Sequence, residues 1–159
     1  MPLPSPSTTP DVVDPRGLRF AAALTAVVLA LVLVTESSWL LAAQAVVFAI
    51  GAFFGVRRSP YSQVFSRLIR PRLGPSAEPE DSRPPQFAQL VGLGFATAGL
   101  VCFVSGLTTL ALVATGFALA AAFLNAVFGL CLGCEVYLVI HRLHPGRSRA
   151  RATTTEVSA

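Results

Sequence analysis

The chain has 159 residues, 53% of them hydrophobic and 13% charged, and its formal charge of +4 at pH 7 rests on twelve arginines and no lysine. That balance excludes an ordinary soluble domain and a charged disordered chain. It also argues against a nucleic-acid-binding module, because the aromatic residues that would have to interleave with the arginines lie mostly inside apolar stretches.

The opening residues, 1–15, are rich in proline, serine and threonine and read as a disordered tail. Asp11 and Asp14 make them unlike the short basic leader of a signal peptide, so the first apolar stretch is taken as a retained membrane span. Crossing a hydrocarbon core about 30 Å thick takes about 20 apolar helical residues. The first span covers about 19–36, and the second covers 39–56 after the tight turn Glu36-Ser37-Ser38. Trp39 opens the second span, where an amphipathic ring prefers the interface.

A polar segment follows. Within it Ser59-Pro60 reads as a cap and a first-turn proline, Tyr61, Val64, Phe65 and Leu68 recur at helical spacing, and Pro71 is expected to end the run. Arg67 and Arg70 take the other side, which predicts a short helix in the headgroup layer attracted to anionic lipid, or one packed on the bundle. The third span covers 86–105. The fourth apolar stretch, 107–140, is too long, since a straight helix of that length would extend about 50 Å. It must kink, tilt or protrude, which brings Cys131 and Cys134 to the cytoplasmic face; the alternative is a break near Asn125 that tucks the cysteine segment back among the other helices. A fifth crossing is rejected because residues 120–125 hold no turn residue and the C-terminal arginines would have to be exported. Residues 146–159 read as a second disordered tail, leaving 16–145 as the membrane domain.

Every arginine falls before the first span, between the second and third, or after the fourth. Basic flanks stay on the cytoplasmic side, so both termini are expected there. The fold class predicted is therefore an all-α integral membrane protein with four transmembrane helices and a short interfacial helix in the central cytoplasmic loop. Gly51-xxx-Gly55, Gly92-xxx-Ala96 and Gly129-xxx-Gly133 are read as close helix packing within one bundle, with a homo-oligomer interface as the alternative. Gln44 and Asn125 are read as interhelical hydrogen-bonding residues, and Cys102 as a buried thiol.

One constellation carries chemistry. Cys131 and Cys134 lie one helical turn apart, and thiol exchange needs such a neighbouring sulfur to resolve the mixed disulfide. Glu135, four residues after Cys131, would relay a proton, although its charge also disfavours a nearby thiolate; Arg142 would offset it by pairing. Placed in the interior of a helix, the pair differs from a thioredoxin site, where the cysteines open a helix after a strand. On the reducing side a permanent structural disulfide is not expected. The candidate catalytic residues are thus Cys131, Cys134 and Glu135, against the alternative of cysteines that only pack. A zinc site from CxxC with His141 and His144 is set aside, because seven residues of helix separate Cys134 from His141 by about 10 Å. No metal and no cofactor is expected.

The segments Asp14-Pro-Arg-Gly17, Ser59-Pro-Tyr61, Arg70-Pro71, Phe87-Ala-Gln89 and Gly129-Leu-Cys-Leu-Gly-Cys-Glu-Val-Tyr137 together resemble the bacterial, actinobacterial-type membrane family named domain of unknown function 4395, over about residues 13–142. The resemblance implies four helices, the bacterial cytoplasmic membrane and no established activity. Its members resemble genomic companions of thioredoxin-like proteins and sulfurtransferases, which favours a redox or sulfur role and a soluble partner of one of those kinds. Where the family has a GFC-type lead into the cysteines, this chain has Gly-Leu-Cys. The function expected is a thiol-disulfide or persulfide relay; the alternatives are a membrane scaffold subunit and a passage for a small sulfur-containing anion.

Overall fold

The computed structural model describes residues 12–74 and 80–143. Most of the two expected tails, together with His144, Arg147, Arg149 and Arg151, lies outside them. The described chain is helical, apart from a two-residue antiparallel pairing in which β1, Val12–Val13, meets β2, Glu80–Asp81. Val12 and Val13 were expected in the tail, yet they are tied to the central segment by this pairing.

Four helices make the bundle: α1 Pro15–Thr35, α2 Ser38–Phe53, α5 Arg83–Val104 and α6 Thr108–Phe128. Among them α1, α5 and α6 are long and apolar enough to cross a membrane, while α2, at 16 residues, is a shorter apolar helix. Their ends follow local chemistry. Asp14 accepts the Arg16 N–H at 2.9 Å ahead of Pro15, and Ser37 accepts the Leu40 N–H ahead of α2. Gly106, at φ 76, makes the turn from α5 to α6.

Neighbouring helices pack as α1 with α6, α6 with α5, α5 with α2 and α2 with α1, so α1 and α5 stand diagonally and scarcely touch. Leu29, Val32, Leu41, Ala45, Phe48, Ala96 and Ala118 form the core. Small residues permit the contacts. A Cβ on Gly92 would lie 2.9 Å from the Phe48 ring, and one on Gly99 would lie 3.0 Å from Leu41. Gly92 and Ala96 therefore do pack within the bundle as the spacing suggested, whereas Gly55 and Gly129 turn the chain at φ 94 and 69.

Between α2 and α5, a short 3₁₀ turn at Val56–Arg58 leads into α3, Pro60–Val64; a π-helical turn, Phe65–Ile69, and α4, Arg70–Leu73, continue the same rod. Pro71 does not stop it. The Arg70 N–H reaches back to the Phe65 carbonyl, and this wider turn opens the space that a proline ring needs. Ser59 makes no side-chain cap bond; its backbone carbonyl takes the Gln63 N–H instead. Phe65 is buried against Gly17 and Phe20, so the rod packs on the start of α1, with Val64 and Leu68 exposed beside Arg67 and Arg70. Tyr61 donates its hydroxyl hydrogen to Gln44 Oε1 at 2.8 Å, and burial pushes its pKa above the usual 10.

The long fourth stretch breaks at Gly129, four residues beyond Asn125. Gly129 takes a left-handed conformation and returns its N–H to the Asn125 carbonyl at 3.0 Å, which ends α6. A separate amphipathic helix follows: α7, Leu132–Leu143.

Candidate functional site

The corner between α6 and α7 sets the geometry of the cysteine pair. Glu135 N–H bonds the Cys131 carbonyl at 3.0 Å, the first hydrogen bond of α7, so Cys131 sits at the helix cap and Cys134 in its opening turn. The expectation of two cysteines inside a continuous helix is thereby corrected. Cys131 and Cys134 are joined as a disulfide, with Cα atoms 5.1 Å apart, instead of standing as separate thiols. A helix start presents unpaired N–H groups and a partial positive charge, the setting that favours a thiolate once such a bond is reduced. No strand precedes the pair, but the left-handed turn at Gly129 does the same job of ending one element so that another can begin.

Two contacts hold the corner in place. The Arg19 side chain, from the first turns of α1, donates through Nε and a terminal nitrogen to the Ala126 carbonyl at 3.4 and 3.3 Å, and through the terminal nitrogen to Val127 at 3.0 Å. It thus satisfies carbonyls that the end of α6 leaves open. On the other side Gly133 presses on Ala88 of α5: a Cβ there would lie 2.6 Å from the Ala88 Cα, and only glycine fits. Tyr137, one turn further, meets Phe87 at a ring separation of 5.8 Å and His141 at 4.6 Å. The remaining apolar stripe of α7, Leu132, Val136, Val139, Ile140 and Leu143, is exposed.

Behind the corner lies a cavity of about 770 Å³ bounded by α1, α5, α6 and α7, with both cysteines in its wall. It occurs at the end of the bundle where the described arginines gather. Most of its wall is apolar, including Val91, Phe95, Phe117 and Ala121; Arg19, Thr25, Glu80, Gln89, Asn125 and Glu135 supply polar groups. It stops at Phe48 and Ala118, where the packed core begins.

Other candidates are placed as follows. Glu135 is exposed in the first turn of α7, and it makes no ion pair with Arg142. Asn125 lines the cavity and does not bridge two helices through its side chain, whereas Gln44 does make a cross-element bond, to Tyr61. Gln44 Nε2 and Gln89 Oε1 are buried without a partner. Cys102 is free and partly buried. Among the described residues no group of three or more histidine, cysteine or acidic side chains is arranged to hold a metal ion. Sequence reasoning missed the role of Arg19, and it read Gly133 as a packing residue without naming the neighbour, Ala88, that it meets. An arginine at the start of a span signals topology before it signals a cap, and a small residue next to cysteines signals packing without saying against what.

No match to the chain was found among curated proteins or among solved structures. A family model matches residues 13–142, which include every bundle helix, the disulfide corner and nearly all of α7. The chain is a member of the family described as domain of unknown function DUF4395.

Proposed function

We propose that this protein is a thiol relay of the bacterial cytoplasmic membrane, in which Cys131 and Cys134 exchange a disulfide or persulfide with a soluble cytoplasmic protein of the thioredoxin-like or sulfurtransferase kind. The observation that carries the reading is the placement of the pair at the first turn of α7, in the wall of a cavity and at the arginine-rich end. In this reading α1, α2, α5 and α6 are four spans, and both chain ends lie inside the cell. At 16 residues α2 reaches about 24 Å, close to the hydrocarbon thickness. The arginine side faces the cytoplasm because guanidinium groups resist export. The exposed stripe of α7 and the rod from Pro60 to Leu73 then lie at the inner headgroup layer.

The chemistry is a pair of exchanges. A thiolate of the partner attacks one sulfur of the disulfide, a mixed disulfide forms, and the partner's second thiol resolves it, leaving Cys131 and Cys134 reduced and the partner oxidised. The N-terminal dipole of α7 stabilises the leaving thiolate, and Glu135, open to water, passes the proton. With a persulfide donor the terminal sulfur is transferred to a reduced cysteine in the same geometry.

A scaffold role is the second reading, favoured by the unpartnered apolar stripe of α7. The blind inner end of the cavity speaks against a passage for a sulfur-containing anion. Differential thiol labelling of intact cells and inverted vesicles tests the relay. Labelling after reduction only from the cytoplasmic face, and an oxidation state that follows the soluble thiol pool, are expected. A Cys131→Ser variant that still complements a deletion strain under oxidative stress or sulfur limitation overturns it in favour of the scaffold.

A further inference from the structure

Resting on the relay, we infer that the cavity behind Cys131 and Cys134 binds a lipid-soluble quinone, which takes the electrons that the pair collects. A disulfide relay with one soluble partner only equilibrates with it; net turnover needs a second two-electron carrier, and the cavity identifies its class. Its volume of about 770 Å³ suits a quinone ring with the first part of its isoprenoid chain. Phe95 of α5 and Phe117 of α6, their ring centroids 6.4 Å apart, line it and remain exposed, so its wall continues onto the apolar flank from which a lipid-dissolved molecule enters.

The polar groups favour a quinone over a fatty acyl chain. A quinone carries an oxygen on each side of its ring, acceptors when oxidised and donors as well when reduced. Arg19 has five N–H donors, more than the Ala126 and Val127 carbonyls use, and it shares the cavity wall with Asn125. Gln89 lines the same space, and its Oε1, pressed against Gly51 without a partner, gains one when the amide turns toward a quinol hydroxyl. An acyl chain leaves all of these groups unanswered.

The step balances within the cavity. One thiolate of the reduced pair adds to the quinone ring, forming a C–S bond; the other thiolate attacks that sulfur, so the S–S bond forms as the C–S bond breaks and its electron pair returns to the ring. The two protons released by the thiols go to the ring oxygens. Two thiols become one disulfide, and one quinone becomes one quinol. The soluble dithiol partner then reduces the disulfide and completes the cycle.

The test uses the full chain with Cys102→Ser, in vesicles of phosphatidylethanolamine and phosphatidylglycerol, reduced and kept anaerobic. Decyl-ubiquinone is added in one arm and oxidised glutathione in another, while quinol absorbance and free thiols are followed. One quinol per pair is expected, lost with Cys131→Ser. Filling the cavity with Ala121→Phe should slow the quinone arm at least about tenfold relative to the glutathione arm of the same variant. Ala122→Leu is read in the same way if the larger residue prevents folding. Oxidation by glutathione but not by quinone overturns this inference and leaves the relay standing, as does a quinone arm indifferent to both fillings. A pair inert in both arms overturns the relay itself, and the quinone site with it.

Discussion

The two ends of this bundle are built from the same apolar residues and yet differ in how completely they are filled. Toward the Glu36 and Gly106 turns, Leu29, Val32 and Leu41 are buried, Gly99 takes up Leu41, and Ala111 and Thr115 are fully enclosed. Toward the arginine-rich end, about 770 Å³ of space lies between α1, α5, α6 and α7, and the corner from Gly129 to Cys134 forms part of its wall. Within lipid there is no hydrophobic drive to close such a space, because lipid tails are as apolar as the side chains; only dispersion contacts and polar bonds do so. The filled end therefore carries the packing that holds the helices together, and the hollow end can hold a site.

Inserting bulk breaks or sharpens this contrast most directly. Ala111 has no free space, so Ala111→Phe should cost at least about 3 kcal/mol and lower the midpoint of thermal unfolding in detergent or vesicles. Ala121→Phe enters the cavity and should cost less than about 1 kcal/mol, within the range of tolerated changes. Equal losses at the two alanines would mean that the ends are packed alike and that the hollow end is no site.

How the two ends were legible differs as well. Hydropathy located the bundle helices because lipid exposure demands long apolar runs, and the arginine positions marked one end in the same way. The break at Gly129 was not legible, since a glycine in an apolar stretch signals close packing as readily as a left-handed turn. The setting of the cysteines depended on that break: Cys131 and Cys134 look like neighbours on one helix face until Gly129 ends α6 and makes Cys131 the cap of α7. The cavity was further out of reach. Its wall is drawn from helices far apart in the sequence, and no local pattern in any one of them records that.

Between the two ends in magnitude stands the seat of α7. Gly133→Val would set a side chain against the Ala88 backbone, which cannot yield as a side chain would, so a loss of about 2 kcal/mol is expected. Gly94→Val, where a Cβ meets nothing, is the control, and there only intrinsic helix propensity acts, which slightly favours valine over glycine. Moving α7 should also raise the rate at which the reduced pair is alkylated. If Gly133→Val leaves both stability and alkylation at the level of the control, α7 is not held by α5, and the corner that presents Cys131 to the cavity is not fixed.

The smallest effect concerns the polar tie between α2 and the rod that follows it. Tyr61→Phe removes the hydroxyl that Gln44 Oε1 accepts and leaves a fully buried amide with neither end satisfied, at a cost of about 1 kcal/mol near neutral pH. The same phenol gives this bond a pH signature. Its pKa is raised in the folded chain by burial, so the folded state holds the proton more tightly than the unfolded one. The stabilisation is complete below the ordinary tyrosine value near 10 and declines as pH climbs from there through the raised value. Wild type should therefore lose stability over that alkaline window faster than Tyr61→Phe, and ultraviolet titration should find one phenol ionising late in wild type and absent from the variant. Parallel alkaline losses in the two proteins would place the Tyr61 hydroxyl in water, detach the rod from Gln44, and leave Phe65 against Gly17 as its principal hold on the bundle.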